Sequence, residues 1–190
     1  MTEFQSRLNR LQPILEDRDP RKQISAYHDM PYAIFRYSPG EEFALRNAVT
    51  LLATRLENVG KRVTHISLGD CLKEALESQR PLEDWFQIER EIGLSETIQT
   101  IANVLEEYRP LVDMVSERLP ETSDPQKDVV FITRTGALFP VYRTFSLLEQ
   151  LKGKVFVPTV LFYPGDLDGA AGLRFMGVLQ AEHNYRPKIF

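Results

Sequence analysis

The sequence predicts an α/β protein: a mostly parallel, Rossmann-like three-layer sheet with a helical insertion between its second and third strands. Three observations lead there. From about residue 31, segments rich in β-branched and aromatic residues alternate with segments whose apolar residues recur at helical spacing. Two later runs, "DVVFIT" and "VFVPTVLFYP", have strand length and no polar alternation, as strands covered on both faces require. Residues 71–118, in contrast, carry helical periodicity alone.

In chain order, Phe4, Leu8, Leu11 and Leu15 share one face of a helix over residues 2–16, with Thr2 as its N-cap. Pro13 should kink or split that helix, because proline removes a backbone donor and crowds the preceding turn. Glu16–Gln23 is a charged, proline-broken connector. "YAIFRYSPG" follows as a first strand ending in a Pro-Gly turn. The next helix is marked by Leu45, Val49, Leu52, Leu56 and Val59, with Glu41 and Glu42 at its start and Gly60 after its end. "RVTHISL" is a second strand ending at Gly69-Asp70. Strand, helix, strand at this spacing implies a parallel pair joined by a right-handed crossover.

The insertion opens with a short piece at Cys71–Ser78. Pro81 starts a second helix. Leu94, Ile98, Ile101, Leu105 and Tyr108 mark a longer one that Pro110 kinks. "PETSDPQKD" is a loop. "DVVFIT" then leads through Thr133-Arg134-Thr135-Gly136 into a helix over about Phe139–Leu151. Pro158 suits the start of the following strand, and "NYRPKIF" a short edge strand. Residues 1–30 are thus an N-terminal helix and connector, and 31–190 a single α/β domain with the insertion at about 71–118.

Composition excludes several classes. At 190 residues with 43% hydrophobic and 26% charged content, the chain can bury a substantial core. No run approaches the roughly 18 apolar residues of a membrane span, and "MTEFQSRLNR" has no apolar signal core; a cytoplasmic protein is expected. The lone Cys71 forms no intrachain disulfide. Charge is uneven: residues 69–121 hold 13 Asp/Glu against 5 Lys/Arg, whereas the segments on either side are each +2. An acidic centre repels free duplex DNA, so direct DNA binding is not expected. The same segment is either a solvated face or a docking surface for a basic partner.

Ligands of such sheets bind beyond the C-terminal ends of the strands. There the topology gathers Glu41, Asp70, Thr133, Arg134, Thr135, Asp166 and Asp168. "TRTGALFP" has two readings. A glycine turn into a helix can hold an anion on its N–H groups, helped by the threonines and Arg134; or Gly136 merely permits the turn and Thr135 caps. "GDLDG" fails as a calcium loop, since the twelfth residue from Asp166 is Gly177 rather than an acid. Asp70 with Asp166 or Asp168 could hold magnesium, although paired loop aspartates more commonly make turns. GxxxxGK[ST], GxGxxG and GxSxG are all absent. His28, His65 and His183 have no metal-ligand spacing, and His65 fits a packed strand position. Trp85 and Phe86 read as packing residues. No cofactor, metal or catalytic residue is expected; Asp70, Thr133, Arg134, Thr135, Gly136, Asp166 and Asp168 are the candidate ligand-binding set.

The blocks "FITRTGALFPVYRTFSLLEQL", "VPTVLFYPG", "DGAAGLRFMG" and "NYRPKIF", in that order and spacing and with "FRYSPGEE" upstream, resemble the BrxB family of BREX bacteriophage-exclusion systems. The resemblance implies membership of a system that combines a methyltransferase, a large ATPase and a phosphatase-like PglZ protein. It implies a small component without a catalytic motif: an adaptor or assembly subunit acting by protein–protein binding, with a PglZ-type subunit as its first partner. The alternative is a nucleotide- or phosphate-ligand-binding protein, hydrolytic or not, with a degenerate site at the strand ends.

Overall fold

A computed structural model describes residues 3–25, 30–169, 172–183 and 187–190. The expected Thr2 cap, His28 and part of "NYRPKIF" lie outside the described residues. Among those described, the strands are β1 (Tyr32–Tyr37), β2 (Arg62–Ser67), β3 (Asp128–Thr133), β4 (Thr159–Asp168), β5 (Gly172–Phe175) and β6 (Lys188–Ile189). The helices are α1 (Glu3–Glu16), α2 (Arg21–Ile24), α3 (Glu42–Asn58), α4 (Leu68–Gln79), α5 (Leu82–Ile92), α6 (Leu94–Asn103), α7 (Leu111–Glu117) and α8 (Thr144–Gln150). The sheet order is β2-β3-β4-β1-β6, all parallel, with β5 antiparallel to the end of β4.

The period-2 alternation of the strands builds the three layers. Ala33, Phe35, Phe131, Val160 and Phe162 face α1 and α3, meeting Phe4, Leu8 and Leu11 of the first and Leu45, Val49, Leu52 and Leu56 of the second. Ile34, Val130, Ile132, Leu161 and Tyr163 face the other way, onto Leu68 and Cys71 of α4, Met114 and Val115 of α7, and Leu147 of α8. All six residues of β3 but Thr133 are buried, and so are the first seven of β4, which places both runs in the sheet centre. Cys71 is one of these core residues, and burial pushes its thiol pKa up.

Several expectations need correction. β1 and β2 are parallel members of one sheet but not neighbours; β3 and β4 lie between them. The βαβ pattern decides direction and hand, while position follows from coverage. Arg62, Thr64 and His65 suit β2 to an edge, whereas β3 and β4 need both faces covered. His65 is accordingly exposed, edge-on to Phe131 with ring centroids 5.6 Å apart, rather than packed in the core. α1 runs unbroken through Pro13. The helix expected from Phe139 starts at Thr144; a 3-10 turn at Thr135–Leu138 intervenes, and Pro140 has no N–H to continue it. Phe86 is 60% exposed, although Trp85 beside it is buried and donates its indole N–H to Leu76 O.

The two ends of the β2–β3 pair are each clamped by ions. Arg62 and Asp128 are register partners at the start, where the guanidinium grips the carboxylate at 2.7 and 2.9 Å. Asp128 is 3% exposed and also accepts the Asp124 N–H at 2.8 Å. Just beyond the other end, Arg134 pairs with Asp70.

Candidate functional site at the sheet's C-terminal edge

The strand ends converge on a cleft of about 230 Å³. Its position follows from topology: β1 leads to α3 on one face, while β3 leads to α8 on the other, so a crevice opens between their exits. Pro39, Glu42 and Arg46 form one wall, Arg134, Gly136 and Ala137 the other, and Pro164 with Met176 close it.

Each polar group here already has work to do. Ser38 and Glu41 form a capping box, Glu41 accepting the Ser38 N–H at 3.2 Å. Glu42 accepts the Arg46 Nε–H at 2.8 Å with one oxygen and the Tyr37 hydroxyl with the other. Burial and that carboxylate push the Tyr37 pKa well above its ordinary value. Arg46 also stacks over Phe43 at 5.2 Å. Arg134 occupies the left-handed region at φ 56° and donates from Nη1 to Asp70 Oδ1 at 2.8 Å. Its guanidinium lies against Gly69, where any Cβ would sit 2.8 Å from Arg134 Cζ. Glycine at 69 leaves room for this side chain at the β2–α4 junction, and a larger residue there would push the flexible guanidinium aside.

The sequence-derived residues separate into distinct roles. Asp70 is in the first turn of α4, its N–H capped by Ser67 Oγ at 3.2 Å. Arg134 and Gly136 line the cleft. Thr133 makes only a long contact, 3.5 Å, to Ile66 O. Thr135 is fully buried and donates to Phe162 O at 2.7 Å, tying the turn to β4; it caps no helix. The turn it belongs to is a four-residue 3-10 segment rather than the N-terminus of a long helix, so the N–H groups of a helix start are not presented there.

Asp166 and Asp168 do not belong to this cleft or to a turn. Both lie in β4, which runs on as a hairpin with β5, Asp166 opposite Arg174 and Asp168 opposite Gly172. Asp168 is 3.9 Å from Arg174 and 3.7 Å from His183. Among the described residues, no three His, Cys, Asp or Glu side chains are grouped to hold a metal. Residues that sequence reasoning missed, Glu42 and Arg46 of α3, Pro164 of β4 and Met176 after β5, come from three separate stretches of chain. Only the strand order brings them together.

Comparison with known proteins agrees with the resemblance. The family model described as "BREX protein BrxB" matches residues 64–189. A protein named BREX protein BrxB from Bacillus cereus is 27% identical over 188 residues, covering 98% of this chain and 96% of that protein. No solved structure matches the chain. No helix among the described residues is long and apolar enough to cross a membrane. The chain belongs to the BrxB family, a component of BREX phage-defence systems.

Proposed function

Taking that membership as the premise, we propose that this chain is a non-catalytic assembly subunit of its defence complex. It acts in the cytoplasm by protein–protein binding, with a PglZ-type subunit as first partner. The observation that carries this reading is the surface of α5 and α6. These helices bury little: Trp85 in one and Thr97 in the other. Phe86, Leu94 and Tyr108, just past α6, are each at least 60% exposed. Around them stand exposed Glu83, Asp84, Glu89, Glu91 and Glu96. Large apolar side chains left in water on an acidic surface suit docking onto a basic, partly apolar partner.

The test is recovery of the tagged chain from cells expressing the whole operon, with a control lacking the PglZ-type subunit. A BREX subunit should co-purify, and Glu83→Lys/Glu89→Lys/Glu91→Lys should weaken its recovery. Association with no BREX component would sink the reading.

A second reading has one observation in its favour: Arg46 and Arg134 meet in a single cleft, and Arg134 Nε is sealed there without a partner. In this reading the cleft takes a nucleotide or phosphate ligand, with Asp70 orienting Arg134 and Gly136 giving space. Thr133, Thr135, Asp166 and Asp168 are then supporting residues at most. A ligand selective for the folded chain raises its melting temperature. A shift with millimolar nucleotide, with or without Mg²⁺, that Arg134→Ala abolishes supports it; no shift counts against it.

A further inference from the structure

On the α1 side of the sheet, beside the β6 edge, lies a second concavity, of about 550 Å³. Four cations line it: Arg7 and Arg10 of α1, Arg36 of β1 and Lys188 of β6. Among the described residues, Glu3 is the one carboxylate side chain of its lining.

Arg7 stands out. It is 7% exposed, and its Nε and Nη1 are sealed from solvent with no hydrogen-bond acceptor among the described residues. Its guanidinium lies over the Phe35 ring at 5.6 Å. Arg36 has its Nε sealed and unbonded as well. Glu3 reaches Arg36 only at 3.7 Å and is itself 80% exposed, so it neutralises little. Burial lowers the Arg7 pKa, and the neighbouring Arg36 charge lowers it further, against partial opposition from Glu3 and Glu41. A buried guanidinium without a counter-ion costs free energy that one aromatic face offsets only in part. Among the described residues, nothing supplies a counter-ion within reach of Arg7.

We propose that this concavity binds an acidic segment of a protein partner. A carboxylate of that segment supplies the counter-ion that Arg7 lacks among the described residues and an acceptor for the unbonded Arg36 Nε, and its apolar neighbours pack on Leu167, Ile189 and Phe190. The walls favour this occupant over a free phosphate. They are substantially apolar, with Leu167 46% exposed. The first turn of α1 presents Glu3 here, where a phosphate site would present open N–H groups. Guanidinium forks match carboxylates and phosphates alike, so the apolar walls and Glu3 decide between them. The identification of the partner as another subunit of the same system rests on the assembly reading above. The pocket lies on the α1 side, whereas α5 and α6 adjoin the core of the opposite face, so the two surfaces can be engaged at the same time.

The direct test is fluorescence anisotropy of the full chain with a fluorescein-labelled peptide of alternating glutamate, aspartate and leucine. The acidic peptide should bind, and more weakly as salt rises. Arg10→Glu/Lys188→Glu, both on exposed side chains, should lower affinity about tenfold or more without moving the melting temperature. Arg7→Met should do the same to binding. A peptide with glutamine and asparagine in place of the acids should not compete. Equal affinity in wild type and the charge-reversed variant, or no wild-type binding at millimolar protein, overturns the proposal. So does sodium pyrophosphate that displaces the label at lower concentration than unlabelled acidic peptide.

Operon pull-down separates the two readings. Wild type and the charge-reversed variant recovering a BREX subunit equally would remove the pocket as a partner face and leave the assembly reading standing. Wild type recovering none would remove the assembly reading, and anisotropy would still decide the pocket.

Discussion

Arg134 and Arg7 stand at two concave regions of this molecule, and their circumstances are opposite. Arg134 lies where topology concentrates ligand sites, in a left-handed backbone conformation at a strand end, yet its charge is already paired with Asp70 in solvent. Arg7 lies mid-helix, outside any motif, buried and without an acceptor for two of its nitrogens among the described residues. Strand topology says where loops converge. Asking of each charge what satisfies it says where something is missing. On that criterion the cleft at the strand ends is nearly complete, and the pocket under α1 is not.

The contrast should appear as opposite signs when charges are removed. The largest effect is expected at Asp128, the buried member of a satisfied cluster. Asp128→Ala removes charged hydrogen bonds from Arg62 and from the Asp124 N–H, and should lower the melting temperature by roughly 4–8 °C. Burial raises the Asp128 pKa, but the bonds from Arg62 and the Asp124 N–H lower it further, so the net shift is downward. A depressed carboxylate stabilises fully above its ordinary value of 3.8 and stops doing so as the pH falls through its folded value. Denaturation midpoints measured from pH 6 downward should therefore show wild type losing its advantage over the variant only below the ordinary carboxylate range. An advantage unchanged at pH 2 would break the account.

Thr135 comes next. If the strand-end turn is held together by structural bonds, Thr135→Val should cost about 1–2 kcal/mol, through loss of the buried bond to Phe162 O. Chemical denaturation would read this as a lower midpoint with an unchanged slope. No loss would mean that this bond does not hold the strand-end turn, and the contrast with Arg7 would weaken.

This division was only partly legible in the sequence. The buried strands were plain, because "DVVFIT" and "VLFY" lack polar alternation, and the periods of α1 and α3 were plain for the same kind of reason. Strand order was not, since adjacency depends on which faces find cover. Asp166 and Asp168 looked like turn residues by composition; pairing of Leu167 with Leu173 across the hairpin makes them strand residues instead. Thr135 looked like a cap because its bond to β4 spans 27 positions. Arg7 did leave a trace. It sits three residues after Phe4 and four before Leu11, a cation within the apolar stripe of α1.

A buried charge with no partner should be dispensable for stability. Arg7→Met keeps a long flexible chain over Phe35 and removes the guanidinium. Without ligand it should raise the melting temperature slightly, by about 2–4 °C if the gain is near 1 kcal/mol. The sign opposes that of Asp128→Ala, although both delete one buried charge. A fall of several degrees would mean that Arg7 is satisfied within the chain, and the pocket would lose its claim to an external anion.

The smallest effect belongs to the exposed ion pair at the strand ends. Asp70 and Arg134 side chains are 69% and 41% exposed, and ion pairs in that setting contribute between nothing and about 1 kcal/mol. Asp70→Asn should change stability by no more than about 0.5 kcal/mol. Arg134→Gly has a second consequence: at φ 56° glycine avoids the crowding that a side chain meets there, a gain of about 1 kcal/mol that offsets the lost pair. The two single variants and the double variant in one cycle separate these contributions, because the gain at 134 should persist when Asp70 is already gone. If Arg134→Gly instead destabilises strongly whatever occupies position 70, the arginine holds the strand-end turn through contacts beyond Asp70. The cleft would then be a rigid, prepared site rather than a satisfied surface, and the comparison with Arg7 would tilt back toward the strand ends.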